Sequence, residues 1–427
     1  MKKVLIITYY WPPAGGPGVQ RWLKFVKYLR DFEIEPVIYV PENPSYPITD
    51  ESFEKEIPEG IRVIKNKIFE PYAIAGIFSK KDTETISSGI IQKEENQSAL
   101  QKAMLYIRGN YFIPDARKFW VKPSVRFLKN EIEEGNYHAI ITTGPPHSLH
   151  LTGLKLKEVL NIKWIADFRD PWTQIGYHDK LKLNKSSVKK HKALEKQVLN
   201  AADHIITTSF TTRNEFTSKT SKPVSLITNG FDTEINESES PQDRFEIAHI
   251  GSLLSGRNPE NLWISLRNLA ESNENFRSIF KLRLAGKVSQ EVLDSIKKYK
   301  LNNYLENEGY VSHSRAIEMQ RQASVLLLIE IDSEETRGII PGKLFEYMAS
   351  KKPILAIGPE KWDAEKIISE TEAGKVFSYS DASGIKNHIE FLFQQFMDDG
   401  IISKSHNIEK YHRKSRTGDL ANLIKQL

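Results

Sequence analysis

Short apolar runs alternate along the chain with longer stretches in which apolar residues recur at helical spacing. Residues 4–8, 36–40, 138–143, 162–166 and 204–207 are runs of strand length, and after Gly16 the period changes, with Val19, Trp22, Leu23, Val26 and Leu29 on one face of a helix. Such alternation predicts a parallel sheet covered by helices. It restarts beyond the Thr228-Asn229-Gly230 turn, where residues 246–250, 281–285, 325–329 and 353–357 read as strands. The pattern predicts an α/β protein of two Rossmann-like, doubly wound domains, 1–225 and 226–405. The polar segment 233–244 has the composition of a linker. A closing segment, 406–427, is expected to form a helix returning to the first domain. Residues 68–125 break the pattern and read as an insertion in the first domain, poor in apolar residues around 80–98.

Length and charge narrow the classes without naming one. The 427 residues suit two medium domains, since a domain spans about 100–200 residues. Sixty Lys and Arg stand against 55 Asp and Glu, and a net charge of +5 is too mild to argue for a nucleic-acid partner. With no cysteine, disulfides, thiolate metal sites and cysteine nucleophiles are excluded. The apolar start is broken by tyrosines and by Pro12-Pro13, so it reads as a first buried strand and not as a signal peptide. No run of about 18 apolar residues is present to span a bilayer. A cytoplasmic protein is expected, with contact to the inner face of a membrane left open by the lysines and aromatic residues mixed in the insertion.

Several segments carry candidate chemistry. Pro12-Pro13-Ala14-Gly15-Gly16-Pro17-Gly18 lies between the first expected strand and helix. Glycine lets backbone approach a ligand, and a helix start offers unpaired N–H groups to an anion. The glycines lack the spacing of a dinucleotide fingerprint, so the segment reads as a phosphate or sugar site or as a tight turn alone. Gly144-Pro145-Pro146-His147 puts His147 at a strand end, where open α/β sheets bind ligands. The charges of Asp167, Arg169 and Asp170 end the next run, and they either pair, Arg169 with Asp170, or face a ligand. In the second half, Arg257 follows Gly251 and Gly256; its planar fork suits a diphosphate, the bland alternative being an exposed loop arginine. The sharpest segment is Gly338-Ile339-Ile340-Pro341-Gly342-Lys343-Leu344-Phe345-Glu346. A lysine in the first turn of a helix suits phosphates, and Glu346 one turn deeper suits ribose hydroxyls. A surface Lys343–Glu346 pair would be worth only about 0.2–0.5 kcal/mol and leaves the glycines unexplained.

With these segments in view, Leu226-Ile227-Thr228-Asn229-Gly230-Phe231-Asp232 resembles the signature that opens the second domain in glycosyltransferase family 4, and residues 341–353 resemble that family's donor segment. The resemblance implies a GT-B fold, with two Rossmann-like domains facing across a cleft. It also implies a retaining reaction, a nucleotide-sugar donor held mainly by the second domain, and an acceptor, expected to be a saccharide or lipid-linked saccharide, held mainly by the first. With Arg257, Lys343 and helix starts to take the charge of the leaving diphosphate, and no Asp-x-Asp of the metal-dependent kind in the sequence, no metal or other cofactor is expected. By position, the resemblance puts Glu346 on the ribose, Arg257 and Lys343 on the diphosphate, Gly15 and Gly16 on phosphate and sugar, and His147 beside the reacting sugar. Gly251, Gly338, Ile339, Ile340, Pro341, Gly342 and Leu344 complete the donor set, and Asp167, Arg169 and Asp170 fall to the acceptor side.

The sequence departs from the family at two places. Gly338 stands where a glutamate is usual, eight residues before Glu346, with Asp332, Glu334 and Glu335 as nearby substitutes. Ser252 stands where an arginine is common, which leaves more of the phosphate charge to Arg257 and Lys343. The expected activity is sugar transfer in surface polysaccharide synthesis. The rivals are a GT-B nucleotide-sugar epimerase and a non-catalytic nucleotide-sugar-binding subunit.

Overall fold

The computed structural model describes residues 1–70, 99–174, 181–233, 243–398, 400–401 and 403–427. Residues 71–98 of the expected insertion and 234–242 of the expected linker lie outside the described residues. The chain divides into two units, Met1–Asn229 with Arg413–Leu427, and Gly230–His412.

The first unit is built on β1 (Lys2–Ile7), β2 (Ile34–Pro41), β3 (Arg62–Asn66), β4 (Ala139–Gly144), β5 (Lys163–Phe168), β6 (His204–Thr207) and β7 (Val224–Leu226). They pair in parallel in the order β3-β2-β1-β4-β5-β6-β7. The strand order therefore reverses between β1 and β4, and the crevice beyond their carboxyl ends is where such sheets take ligands. Strand alternation sends side chains to both faces. Val4 and Ile6 pack with Val19, Trp22, Leu23 and Val26 of helix α1 (Pro17–Leu29). Leu5 and Ile7 pack with Trp120 and Leu128 of α2 (Lys118–Gly135) and with Leu149 and Leu156 of α3 (Ser148–Leu160). The helix Arg413–Gln426 joins the α1 layer through Leu420, Ala421 and Ile424. Its end is tied to the sheet where the Lys2 ammonium donates to the carbonyl of Lys425 at 2.9 Å.

The second unit repeats the plan with β8 (Phe245–Ile250), β9 (Phe280–Ala285), β10 (Leu305–Gly309), β11 (Val325–Ile329), β12 (Ile354–Gly358) and β13 (Gly374–Ser378), in the order β10-β9-β8-β11-β12-β13 and again parallel. The switch point lies between β8 and β11. Ile247, Leu282, Leu327 and Leu355 carry the core, covered by Leu262 and Leu266 of helix Glu260–Ser272 and by Ile385 and Ile389 of helix Ala382–Asp398.

The central strands coincide with the apolar runs of the sequence to within a residue or two. The four strands that the runs do not reveal, β3, β7, β10 and β13, are the four sheet edges. An edge strand has solvent beside it and fewer buried positions, as in Leu305-Glu306-Asn307-Glu308-Gly309, so no apolar run marks it.

Candidate functional site

In the first unit, the loop after β1 leads into α1 through Gly16, whose φ of 96° belongs to the region that favours glycine. Gly16 caps the helix with no side-chain bond, and Pro17 follows with no N–H to satisfy. Gly15 donates its N–H to the carbonyl of Ile48 at 2.9 Å. A Cβ on Gly18 would run into Arg169 Nη1, so this glycine lets the guanidinium lie against the loop. Arg169 donates through Nε to the carbonyl of Gly144 at 3.3 Å and through Nη2 to that of Pro145. It thus ties the loops after β1, β4 and β5 together, and its bonds go to backbone carbonyls instead of to Asp170, which is exposed.

Asp167 does not join the acceptor group as expected. Its carboxylate is 0% exposed and accepts from Arg21 Nη2 at 2.9 Å, Arg21 Nε at 3.4 Å, Trp22 Nε1 at 2.8 Å and Thr143 Oγ1 at 2.8 Å. Burial alone would raise its pKa, but the Arg21 charge and these hydrogen bonds reverse the shift and hold it below the usual carboxylate range. Arg21 also donates to the carbonyl of Thr228 at 3.1 Å, so the pair fixes the end of the first unit. His147, 3% exposed, sits at the carboxyl end of β4, its ring stacked on Trp172 with centroids 5.0 Å apart and planes 4° from parallel. Gly144 makes room for it: a Cβ there would lie 3.1 Å from His147 Nδ1 and 2.6 Å from His150 Nε2. His150 bonds Thr142 Oγ1 at 2.9 Å and is pushed down to about 3 by burial, which keeps it neutral.

In the second unit, both sides of the β8/β11 switch point contribute. β8 leads into Gly251, whose φ is 121°. A Cβ there would lie 2.6 Å from Lys343 Nζ, so the bare backbone is the floor on which the lysine lies. Lys343 stands in the first turn of α4 (Gly342–Ala349), whose N-cap, Pro341, makes no side-chain cap bond. Tyr347, one turn on, accepts from the N–H of Ile250 at 2.9 Å and fixes this face of the helix to the strand end. The Lys343 ammonium lies 3.2 Å from His249 Nε2, while His249 Nδ1 lies 2.9 Å from the carbonyl of Leu327. The carbonyl requires Nδ1 to carry the proton, so Nε2 accepts from the lysine. Burial and then the Lys343 charge hold His249 well below its ordinary pKa. Burial, with the charge of Arg257 second, pushes Lys343 down to about 8 against the opposing pull of Glu330 and Glu346. Glu346 accepts from Gln320 Nε2 at 3.3 Å.

Arg257 is no loose loop arginine. It donates to Glu330 Oε1 from Nε at 3.1 Å and from Nη2 at 2.7 Å, and Glu330, at the end of β11, is only 2% exposed. The N–H of Ile331 adds a further bond to that oxygen at 2.8 Å. Glu330 therefore aims the guanidinium across the switch point. Gly338, Ile339 and Ile340 form the loop before α4, tethered by Trp362 Nε1 to the carbonyl of Ile339 at 2.6 Å. Asp332, Glu334 and Glu335 are all exposed on the same stretch.

Residues 91–235 match the model of Glycosyltransferase Family 4. That stretch, about a third of the chain, is what the sequence shares with the family. The whole chain has the GT-B fold, by likeness to three solved structures. Sucrose-phosphate synthase from Thermosynechococcus elongatus is 14% identical, with a TM-score of 0.63 over 100% of this chain and 99% of that one. HepE from Anabaena, in complex with UDP, is 14% identical, with a TM-score of 0.61 over 100% of both chains. TarM is 12% identical, with a TM-score of 0.64 over 99% of both. No curated protein matches the chain.

Three side chains at the candidate sites were missed by sequence reasoning. Arg21 lies 146 positions from Asp167, Glu330 73 from Arg257, and Tyr347 97 from Ile250. Arg21 and Tyr347 stand a few residues inside the helices that follow the two glycine segments, and Glu330 stands beside no glycine. The available signal was a charged residue closing an otherwise apolar strand at Glu330, and an arginine on the buried stripe of α1 at Arg21.

Proposed function

We propose that the enzyme is a retaining, metal-independent transferase that takes a nucleoside-diphosphate sugar in its second unit and passes the sugar to a saccharide or lipid-linked acceptor bound by the first. One observation carries the reading: Lys343, Arg257 and the uncapped start of α4 meet at the β8/β11 switch point. Two cations and free helix N–H groups suit a diphosphate more than any neutral ligand. HepE is recorded with UDP and with UDP-glucose, and WaaB is a lipopolysaccharide outer core galactosyltransferase, which supports the same donor class and a surface-glycan acceptor.

Departure of the nucleoside diphosphate develops the most negative charge, and Arg257, Lys343 and the α4 N-terminus would stabilise it as the sugar becomes oxocarbenium-like. Glu346 would hold the ribose. The charge that a metal ion often supplies would come from these groups. Isothermal titration of UDP, GDP and ADP sugars selects the donor. Lys343→Ala and Glu346→Ala should then each weaken nucleotide binding roughly 10- to 150-fold, the worth of a charge-assisted hydrogen bond. Unchanged affinity in both variants would sink the assignment. Turnover should survive EDTA; loss that Mg²⁺ restores would overturn metal independence.

The lysine also sets a pH dependence. In the free protein it loses its proton as the pH rises through about 8, whereas a bound diphosphate favours the ammonium. Affinity for UDP should therefore hold below pH 8 and fall above it, by up to about tenfold per pH unit, with proton uptake on binding near pH 8.5. Titrations in buffers of different ionisation enthalpy measure that uptake. Lys343→Ala should bind weakly with neither the uptake nor the fall.

A further inference from the structure

The charge of the chain is not evenly spread. Residues 99–130 and 181–192 hold twelve Lys and Arg against a single acidic residue, Asp115, while the rest of the chain holds 48 against 54. Asp115 is spent internally, accepting from the N–H of Ser148 at 2.9 Å and from its hydroxyl at 2.8 Å. Of the twelve cations, Arg117 is likewise spent, 9% exposed and 3.2 Å from Glu70. These two segments lie together in the first unit. The N–H of Asn184 donates to Asn110 Oδ1 at 2.8 Å, and Asn110 Nδ2 donates to the carbonyl of Lys182 at 3.2 Å. Leu181 packs on Leu105. Burial, and after it the charge of Lys190, lowers the pKa of Lys118, which sets the start of the helix Lys185–Ala201 beside α2.

The same region exposes large apolar side chains. Tyr106, Ile107, Tyr111, Phe119 and Phe127 are all exposed, Tyr111 by 66%. Lys118 Nζ lies 5.6 Å from the ring centre of Phe112 and 5.3 Å from that of Phe119. On α2, Lys118, Lys122, Arg126 and Lys129 follow at spacings of four, four and three, which lines them up on one helix face. Phe119 and Phe127, eight apart, run beside that stripe. Cations on flexible stems interleaved with exposed aromatic rings match the two layers of an anionic bilayer surface, phosphate headgroups outside and acyl boundary beneath. A polyanion such as RNA would use the cations and the flat rings, but it gives no reason for Ile107 to be exposed. Among the described residues no helix is long and apolar enough to cross a membrane.

We propose that this face of the first unit docks on an anionic lipid surface. The docking is independent of the donor assignment, because none of these residues belongs to the β8/β11 site. The test is flotation of the full chain with phosphatidylcholine vesicles, with and without phosphatidylglycerol. The wild type should float only with the anionic vesicles and be largely released at roughly 0.5 M salt, where surface charges are screened. Lys122→Gln, Arg126→Gln and Lys129→Gln combined should lower the partition coefficient about a hundredfold, near fivefold per charge. Tyr111→Ser with Phe119→Ser should weaken binding at low salt and abolish what survives at high salt. All these positions are at the surface, so melting curves and nucleotide affinity should match the wild type. Equal flotation with both vesicle types overturns the proposal, as does unchanged binding by the triple variant. So does tight binding of single-stranded RNA by a chain that does not float.

Discussion

Replacing Asp167 by alanine should cost the first unit about 3–5 kcal/mol of stability and lower its unfolding temperature by about 6–20 °C, because it strands the buried Arg21 guanidinium without its counter-charge. Arg21 is 1% exposed, and the other donors to the carboxylate, Trp22 Nε1 and Thr143 Oγ1, lose their acceptor at the same time. The pH dependence has a definite sign. The folded pKa of Asp167 is depressed, so its contribution is complete above the unfolded value of about 3.9 and is lost as the pH falls through the folded value. Wild type and variant should therefore differ fully at pH 7 and converge in strong acid. Adding Arg21→Met to Asp167→Leu should recover part of the loss, since replacing both ions removes the stranded charge, but Trp22 and Thr143 stay unsatisfied. Urea melts followed by tryptophan fluorescence measure all three. A cost below about 1 kcal/mol for Asp167→Ala would mean that water or a shifted side chain replaces the carboxylate.

The role of Asp167 also shows where sequence reading stops. Three charges at a strand end signalled a special place, and Arg169, half-buried and bonded to Gly144 and Pro145, occupies it. The sequence could not say which of the three would be withdrawn into the core, because that depends on Arg21, which comes from another helix 146 positions away. Local periodicity finds elements, and a glycine before a helix finds a phosphate-compatible turn. Both are properties of neighbours in the chain. Sheet order is a property of distant segments, and it is sheet order that brings β8 beside β11 and so Arg257 to Glu330. The edge strands were hidden for the opposite reason, since half-solvated backbone leaves no apolar run to read. The family resemblance covered what periodicity could not, the pairing of two halves into one GT-B architecture. It also pointed to Gly338, Asp332, Glu334 and Glu335 for the absent carboxylate, whereas the buried carboxylate of this site is Glu330.

Arg257→Ala should lower turnover of the selected donor by about 10²–10³-fold with a much smaller change in nucleotide affinity, the pattern of an interaction that strengthens as charge develops on the leaving group. The geometry supports that split. Both hydrogen bonds of Arg257 to Glu330 go to one oxygen, from Nε and Nη2, so the pair fixes the guanidinium while Nη1 stays out of the contact. Truncation also leaves Glu330, 2% exposed, as a buried carboxylate without its cation, so the variant should melt lower than the wild type. Arg257→Lys separates the two effects. A lysine restores charge near Glu330 and much of the stability, but it cannot present a planar fork to carboxylate and phosphate together, so turnover should recover only in part. Release of nucleoside diphosphate at saturating donor gives the turnover, and a melt of the same preparation gives the stability. If Arg257→Ala melts lower yet turns over within threefold of the wild type, Arg257 is a strut for β11 and the leaving group is stabilised by Lys343 and the α4 N-terminus alone.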